Sequence, residues 1–167
     1  MEIRISSKGE YLRPCHIDDL DSLLTITSDT SLMSFMGGSL TREQTRSYIQ
    51  RFSTSEGIHS ENWWIICQKS AMGFVGFIWS LYDSIEKSVS LSIVIKPEFQ
   101  RQSIESNVLK AWMQYAYEKL GNCQFQIYIP SDHKPSKKII RSLDMKFKKT
   151  LFRKGKSFDL YSKSLMI

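Results

Sequence analysis

The sequence predicts an α/β (α+β) domain with a mixed, mostly antiparallel, twisted sheet of about seven strands and about four flanking helices. Three observations lead to this prediction. The spacing of apolar residues changes from helical to strand-like and back along the chain. A long amphipathic helix lies between two strand-like segments, as in a parallel crossover connection. The other strand-like segments follow one another through short polar turns, which is typical of antiparallel pairing.

The N-terminal third predicts one strand and two helices. Tyr11-Leu12-Arg13-Pro14 marks the end of a strand, because Pro14 cannot continue a β-ladder. Apolar residues near helical spacing predict a helix over 18–27. Thr41-Arg42-Glu43-Gln44 fits a capping box, so a second helix is expected over 41–52.

The remaining two thirds predict an antiparallel meander, a long helix and a mixed end. Runs rich in β-branched and aromatic residues predict strands over 63–68, 72–82 and 89–95. Residues at four-residue steps predict a helix that ends at Gly121; they are Ile104, Val108, Trp112, Ala116 and Leu120. A strand over 125–129, a basic helix over 135–143 and strands over 147–152 and 158–164 follow.

The predicted crossover places a ligand site in the chain. The strands before and after the long helix are expected to pair in parallel, and ligands bind beyond the C-terminal ends of parallel strands, beside the next helix N-terminus. In this sequence that place is 95–106.

Composition excludes several classes of protein. The 167 residues, 41% hydrophobic and 24% charged, suffice for one domain over 1–167 with its own core. No apolar run approaches the roughly 20 residues of a membrane span, and the N-terminus lacks the apolar region of a signal peptide, so we expect a cytoplasmic protein without membrane contact. Cys15, Cys67 and Cys123 are widely spaced, which favours reduced thiols and no metal site.

The formal charge of +6 is unevenly distributed. Between Lys134 and Lys156, ten Lys and Arg residues face one acid, Asp144, which gives this segment a charge of +9. Such a patch fits a polyphosphate, a nucleic-acid or ribosomal surface, or an acidic protein surface. A solvated face that keeps the protein in solution explains the charge equally well.

A set of short motifs extends over nearly the whole chain. They are Leu12-Arg13-Pro14 before an acidic helix, Leu40-Thr41-Arg42-Glu43-Gln44, Val75-Gly76-Phe77-Ile78, Ile95-Lys96-Pro97-Glu98-Phe99-Gln100, Ala116-Tyr117-Glu118-Lys119-Leu120-Gly121, and Ser136 with Leu143 and Met145-Lys146-Phe147. In order and spacing they resemble the GNAT acyltransferase superfamily. The resemblance is strongest to the branch with ribosomal-protein N-terminal alanine acetyltransferases and spermidine acetyltransferases.

The resemblance implies an acetyl-CoA-dependent N-acetyltransferase, in which a primary amine of a small molecule or a protein N-terminus attacks the thioester directly. It implies that strand backbone near Ile93 and Ile95 holds the pantetheine, and that Lys137 or Lys138 reaches the 3′-phosphate. It also implies a pyrophosphate-binding loop, whose residues here are Gln100, Arg101, Gln102, Ser103, Ile104, Glu105 and Ser106.

This loop departs from the family pattern Gln/Arg-x-x-Gly-x-Gly/Ala at two positions, Ser103 and Glu105. The Ser103 amide remains available to a phosphate, and its hydroxyl can donate or cap the helix. An unneutralised carboxylate about 4 Å from a phosphate costs roughly 4 kcal/mol at an effective dielectric near 20. Arg101 precedes Glu105 by four residues and can neutralise it or bind the pyrophosphate itself. Alternatively, Glu105 stabilises a helix N-terminus where nothing binds.

The resemblance also indicates catalytic candidates. The strand glutamate that many relatives use as a base corresponds to Ser90, which is no base; water-mediated proton transfer to Glu86 or His59 stays open. Ser136 matches the serine that is a frequent candidate for the acid that protonates the leaving thiolate.

Two further residues are candidates for catalysis. His133 replaces a family asparagine and can act as acid or base, or be an ordinary surface histidine. Tyr128, at the end of a predicted strand, either points its hydroxyl into the cleft or is a half-buried strand tyrosine.

Two other functions stay open beside the enzyme. A non-catalytic GNAT-fold binding or regulatory module that has lost tight CoA binding would explain Glu105 and the missing strand carboxylate. A nucleic-acid or ribosome-associated protein would use the basic segment 134–156. We expect a monomer or a homodimer.

Overall fold

The computed structural model describes residues 3–4, 9–53, 57–69, 73–100 and 103–165. Its elements in chain order are β1 (Ile3–Arg4), β2 (Glu10–Pro14), α1 (Leu20–Thr27), α2 (Arg42–Ser53), β3 (Asn62–Gln68), β4 (Gly73–Asp83), β5 (Ser88–Ile95), α3 (Ile104–Leu120), β6 (Cys123–Pro130), α4 (Lys134–Ser142), β7 (Lys146–Arg153) and β8 (Lys156–Leu165).

The predicted fold class is confirmed. The strands and helices expected from the sequence are all present, with ends that differ by one or a few residues. The structure adds β1, a two-residue strand too short to leave a periodic pattern in the sequence. Met72, the expected first residue of one strand, lies outside the described residues.

The strands form one mixed sheet in the order β1-β2-β3-β4-β5-β6-β8-β7. Neighbours pair antiparallel, except β5 and β6, which run parallel as predicted for the strands on either side of α3. The parallel ladder extends from the pair Ser88 and Gln124 to the pair Leu91 and Ile127. Both strands continue beyond it, β5 to Ile95 and β6 to Pro130. We call the opening between 92–95 and 128–130 the β5–β6 gap.

The core lies on both faces of the sheet. On one face, α3 packs the apolar stripe that its spacing predicted, and α4 adds Ile140. On the other face, α1 and α2 bury Leu23, Ile26, Ile49 and Phe52. Each large apolar side chain that is fully buried stabilises the fold by about 1.5–3 kcal/mol, so both helical layers are fixed on the sheet.

Local signals at the helix starts agree with the sequence. Thr41 and Gln44 form the predicted capping box: Thr41 N–H donates to Gln44 Oε1 (2.9 Å), and Gln44 N–H donates to Thr41 Oγ1 (3.1 Å). At the end of β2, Arg13 holds Asp19 with two hydrogen bonds of 2.8 and 2.6 Å. The Asp19 carboxylate is thereby fixed at the start of α1.

None of the helices in the described parts of the chain has the length and apolar character needed to cross a membrane.

Candidate active site

The last residues of β5 present to the β5–β6 gap a backbone edge with which no strand of the described residues pairs. Lys96 donates its N–H to the Val75 carbonyl (3.0 Å), and bonded positions alternate along an antiparallel pair. The backbone N–H and C=O groups of Ile93 and Ile95 therefore point away from β4 and toward β6, which has already diverged. An extended ligand with amide groups can pair with this edge as an added strand would.

The segment after β5 turns toward the N-terminus of α3. Pro97–Phe99 forms a short 3₁₀ turn, and the Gln100 side chain donates to the Ile95 carbonyl (3.1 Å). Gln100 thus occupies the Ile95 carbonyl, the last acceptor of this edge. Arg101 and Gln102, two residues of the expected pyrophosphate loop, lie outside the described residues.

Ser103 begins α3 in a left-handed conformation, with φ 60° and ψ 14°. Only glycine enters this region without a penalty from its side chain, and the cost for other residues is about 1–2 kcal/mol. The serine hydroxyl makes no capping hydrogen bond, so the expected cap is absent. In the family that the sequence resembles, this position holds glycine. Here the backbone has the conformation that glycine favours, but the residue is serine.

The first turn of α3 presents backbone amides to which no residue of the helix offers a carbonyl. The first hydrogen bond of the helical pattern joins Asn107 N–H to the Ser103 carbonyl (3.2 Å), so the N–H groups of Ile104, Glu105 and Ser106 have no carbonyl partner within the helix. Such amides, together with the positive end of the helix dipole, form an anion site. The donors fit a pyrophosphate.

The Glu105 carboxylate is the feature of this turn that opposes an anion. Its side chain is half-buried. Within the described ranges no cation lies at ion-pair distance from it. The predicted neutralising partner, Arg101, lies outside those ranges and stays a prediction.

A cleft of about 880 Å³ lies on the α1–α2 side of the sheet, next to the β5–β6 gap. Its size is that of a small-molecule site. The walls come from the segment between α1 and α2, the aromatic residues of α2, β3 and β4, the middle of β5, the end of β6, and the turn between β7 and β8. Lining residues from these parts include Met33, Phe35, Tyr48, Trp63, Trp79, Ser90, Ser92, Tyr128, Lys154 and Phe158.

Tyr128 connects this cleft to the gap. It directly follows Ile127, the last residue of β6 that pairs with β5. The half-buried side chain lines the cleft, and the Arg153 guanidinium lies 5.3 Å from its ring centroid. The phenol therefore lies where the two strands separate, among groups from three strands.

His133 and Ser136 are brought together at the start of α4. His133 Nδ1 lies 2.6 Å from Ser136 Oγ and accepts the Ser136 N–H at 3.3 Å, so the imidazole caps the helix. The ring also contacts Phe35, with 5.3 Å between ring centroids. Neither residue is part of the cleft lining. Phe35, which contacts the His133 ring, does line the cleft.

The residues that could take a proton from an amine are sparse. Ser90, the predicted counterpart of the family's strand glutamate, lines the cleft, as does Ser92 further along the strand. Glu86 lies exposed in the turn between β4 and β5, and His59 packs against Tyr82; neither lines the cleft. The sequence reasoning missed Glu61, which does line it. The one signal in the sequence is that Glu61 stands just before β3 and its two tryptophans, Trp63 and Trp64.

The basic segment 134–156 is distributed over α4, β7 and the following turn. Lys137 lies 3.5 Å from Asp159, which makes it less available to a 3′-phosphate, whereas Lys138 is exposed. The turn at the end of the segment lines the cleft, which the sequence did not indicate. Among the described residues, no group of three or more His, Cys, Asp or Glu side chains could hold a metal ion.

Several solved structures of acetyltransferases have the same fold as this chain. The acetyltransferase that modifies the N-terminal serine of 50S ribosomal protein L7/L12 from Salmonella typhimurium superposes with a TM-score of 0.84 at 18% identity, covering 99% of each chain. A ribosomal L7/L12 alpha-N-protein acetyltransferase in complex with coenzyme A gives 0.83 at 17% identity, covering 98% of this chain and 97% of the other.

A third solved structure is spermidine N-acetyltransferase from Vibrio cholerae in complex with CoA and spermine. It gives a TM-score of 0.83 at 12% identity, covering 95% of this chain and 96% of the other. At such identities these likenesses concern the fold. No curated protein sequence matches the chain significantly. The family model described as acetyltransferase (GNAT) domain matches residues 11–146, well over half of the sequence. The chain therefore belongs to the GNAT acetyltransferase family.

Proposed function

We propose that this protein transfers the acetyl group of acetyl-CoA to a primary amine. The observation that carries the proposal is the β5–β6 gap, because it joins the backbone edge of β5 to the aromatic cleft. Membership of the GNAT family supports it. So do the similar solved structures, which include one with CoA and spermine and one that modifies a ribosomal protein's N-terminal serine.

In this proposal the two sides of the gap have separate tasks. The backbone N–H and C=O groups of Ile93 and the N–H of Ile95 bind the amides of the pantetheine arm, because Gln100 already donates to the Ile95 carbonyl. The N–H groups of Ile104, Glu105 and Ser106 bind the pyrophosphate. The cleft takes the acceptor and presents its amine to the thioester carbonyl from the opposite side.

The reaction needs one proton to leave the amine and one to reach the departing sulfur. The neutral amine nitrogen forms a bond to the carbonyl carbon, and the carbon–sulfur bond breaks. Tyr128 donates its phenolic proton to the thiolate, because its side chain lies where the strands separate. The amine proton leaves to water in the cleft, and water returns a proton to the Tyr128 phenolate, which restores the phenol for the next turnover. The products are the N-acetyl amide and the free thiol of CoA.

Ser136 and His133 are the other two predicted catalytic residues, and their part in proton transfer needs a test of its own. Ser136 Oγ is already hydrogen-bonded to the imidazole, so the pair can pass a proton or fix the start of α4. A Ser136→Ala variant with unchanged kcat would remove the hydroxyl from the chemistry.

The first experiment is thermal unfolding with and without about 1 mM acetyl-CoA. A ligand at 100 times its Kd stabilises by about 2.7 kcal/mol, which is several degrees for a chain of this size. Release of the CoA thiol with a panel of amines then measures turnover. Tyr128→Phe should lower kcat at least about tenfold with little change in CoA binding. Tyr161→Phe, on β8 against Phe147, is the matched control.

A specific observation also supports a non-catalytic binding module. The cleft has Ser90 at the predicted place of the family's base, and Glu105 lies among the amides that would bind phosphate. Folded protein with no shift in acetyl-CoA and no turnover would favour this second function over acetyl transfer.

A further inference from the structure

The charged residues of the cleft are unequal in sign. Within the described lining, one carboxylate, Glu61, is accompanied by three cations, Arg153, Lys154 and Lys156. The three cations come from one short segment, the turn that joins β7 to β8. In the sheet order, β5 and β6 separate β3 and β4 from β8 and β7. The three cations therefore belong to the opposite side of the β5–β6 gap from the aromatic residues of β3 and β4.

The single carboxylate is already neutralised. Glu61 Oε2 accepts a hydrogen bond from Arg51 Nη2 at 2.7 Å, and Oε1 accepts one from Trp79 Nε1 at 2.8 Å. Both oxygens are therefore engaged, and a cationic substrate would have to compete with Arg51 for them. Glu61 holds the Trp79 ring in the wall instead of attracting an ammonium group.

The three cations have no such partners. In the described part of the chain, none of them forms an ion pair. Arg153 lies over the Tyr128 ring, which extends the positive charge toward the β5–β6 gap. A cleft that is lined by positive charges and has apolar rings as its walls concentrates anionic ligands.

The backbone of the turn gives an independent indication. Lys154 has φ 48° and Gly155 has φ 75°, so both central residues of this two-residue hairpin turn are left-handed. Asn-Gly, Asp-Gly or Gly-Gly is favoured in such a turn, and lysine is not. A left-handed lysine in the lining of a cleft points to a use for its side chain.

Resting on the proposed acetyl transfer, we infer that the acceptor is a small primary amine with an apolar or aromatic body and an anionic group, a carboxylate or a phosphate. The aromatic walls contact the body, and the turn 153–156 binds the anion. Polyamines are poor acceptors, because every further ammonium group meets the same three cations.

The test uses four arylethylamines that share one skeleton and similar amine basicity, and one polyamine. These are tyramine, tyramine phosphate, 4-(2-aminoethyl)benzoate with its neutral carboxamide, and spermine. Each anionic amine should exceed its neutral counterpart in kcat/KM by about fivefold or more, the effect of about one exposed charge pair. The stronger of the two anions identifies the phosphate or the carboxylate as the natural group. Adding 0.5 M salt should reduce the preference.

Lys154→Asn separates the charge from the fold, because asparagine suits the left-handed turn. This variant should fold at least as stably as the wild type and lose about threefold to fivefold of the preference for anionic over neutral amines. Lys148→Asn removes the same charge from an exposed residue of β7 outside the cleft and is the control. It should keep the preference.

Binding is measured independently by quenching of tryptophan fluorescence, since Trp63 and Trp79 line the cleft. If no amine is acetylated, the proposed activity has failed, and the dissociation constants still decide whether the cleft selects anionic amines. Equal affinity for tyramine and tyramine phosphate, or a preference for spermine, overturns the inference. So does an equal loss of preference in Lys154→Asn and Lys148→Asn.

Discussion

At the start of α3, Ser103 adopts a left-handed backbone and has no capping hydrogen bond from its hydroxyl. Ser103→Gly should raise the free energy of unfolding by about 0.5–1 kcal/mol, because glycine has no side-chain penalty in this region but loses more chain entropy. Urea unfolding measures the change. Ser103→Ala keeps the β-carbon and should give no gain; an equal gain in both variants would contradict the explanation by backbone strain.

Two residues further, Glu105 has opposite effects on the helix and on a bound phosphate. Glu105→Gln should lower the free energy of unfolding by about 0.3–1 kcal/mol, since a carboxylate stabilises a helix N-terminus. The same variant should bind CoA about fivefold more tightly, as expected for removing one half-exposed repulsion. Calorimetric titration measures the affinity. Glu118→Gln changes the same charge near the other end of α3 and should leave CoA binding unaltered.

The sequence located these two residues in the loop but not their conformations. A left-handed serine leaves no compositional signal, because its backbone angle follows from how β5, the 3₁₀ turn and α3 are joined. His133 and Ser136 were predicted as separate candidates three residues apart, and only the structure joins them in one hydrogen bond.

Among the elements, α4, β7 and β8 are tied together by the carboxylate of Asp159. Its Oδ1 accepts hydrogen bonds from Ser131 Oγ (2.7 Å) and Thr150 Oγ1 (2.8 Å), and Lys137 Nζ lies 3.5 Å from Oδ2. The hydrogen bond from Ser131 is the largest cause that holds the pKa of Asp159 below its usual value, against the effect of burial. The Thr150 hydrogen bond and Lys137 act in the same direction.

This lowered pKa predicts a loss of stability in acid. The folded state binds the proton more weakly than the unfolded chain, so the contribution is complete above the ordinary aspartate pKa of about 3.9 and is lost as the pH falls through the lower folded value. Asp159→Asn should cost about 1–2 kcal/mol at pH 7 and flatten the acid dependence, as measured by urea unfolding from pH 7 to pH 3. Asp132→Asn, at an exposed residue, should retain the wild-type pH profile.

Elements with strong local signals were predicted well. The apolar stripe of α3 and the capping box of α2 each depend on residues within a few positions of one another, and both are present. The cleft was not predictable in the same way, because its lining comes from segments far apart in the chain. Trp63 and Trp64 illustrate the difference: neighbours in sequence, they face opposite sides of the sheet, and only Trp63 lines the cleft.

For the whole molecule, the three cysteines report on the two faces of the sheet separately. Cys15 and Cys67 lie in the core beside α1 and α2, and Cys123 lies in the core beside α3. All three are free and buried. Burial raises the pKa of Cys15 to about 12, with a further increase from Asp19, and burial likewise raises the pKa of Cys67 and Cys123. Few thiolates are therefore present at neutral pH, and a thiol reagent should react slowly with the native protein.

Because one sheet carries both cores, we propose that 1–167 unfolds as a single domain, and thiol labelling in urea tests this. All three cysteines should become reactive in one transition, at the same midpoint as the loss of circular dichroism. Mass spectrometry of peptides containing each cysteine follows the two faces independently, and labelling of the fully unfolded chain is the control for reagent efficiency. Labelling of Cys123 at lower urea than Cys15 and Cys67 would contradict the single domain, since it would mean that α3 leaves the sheet while α1 and α2 remain packed.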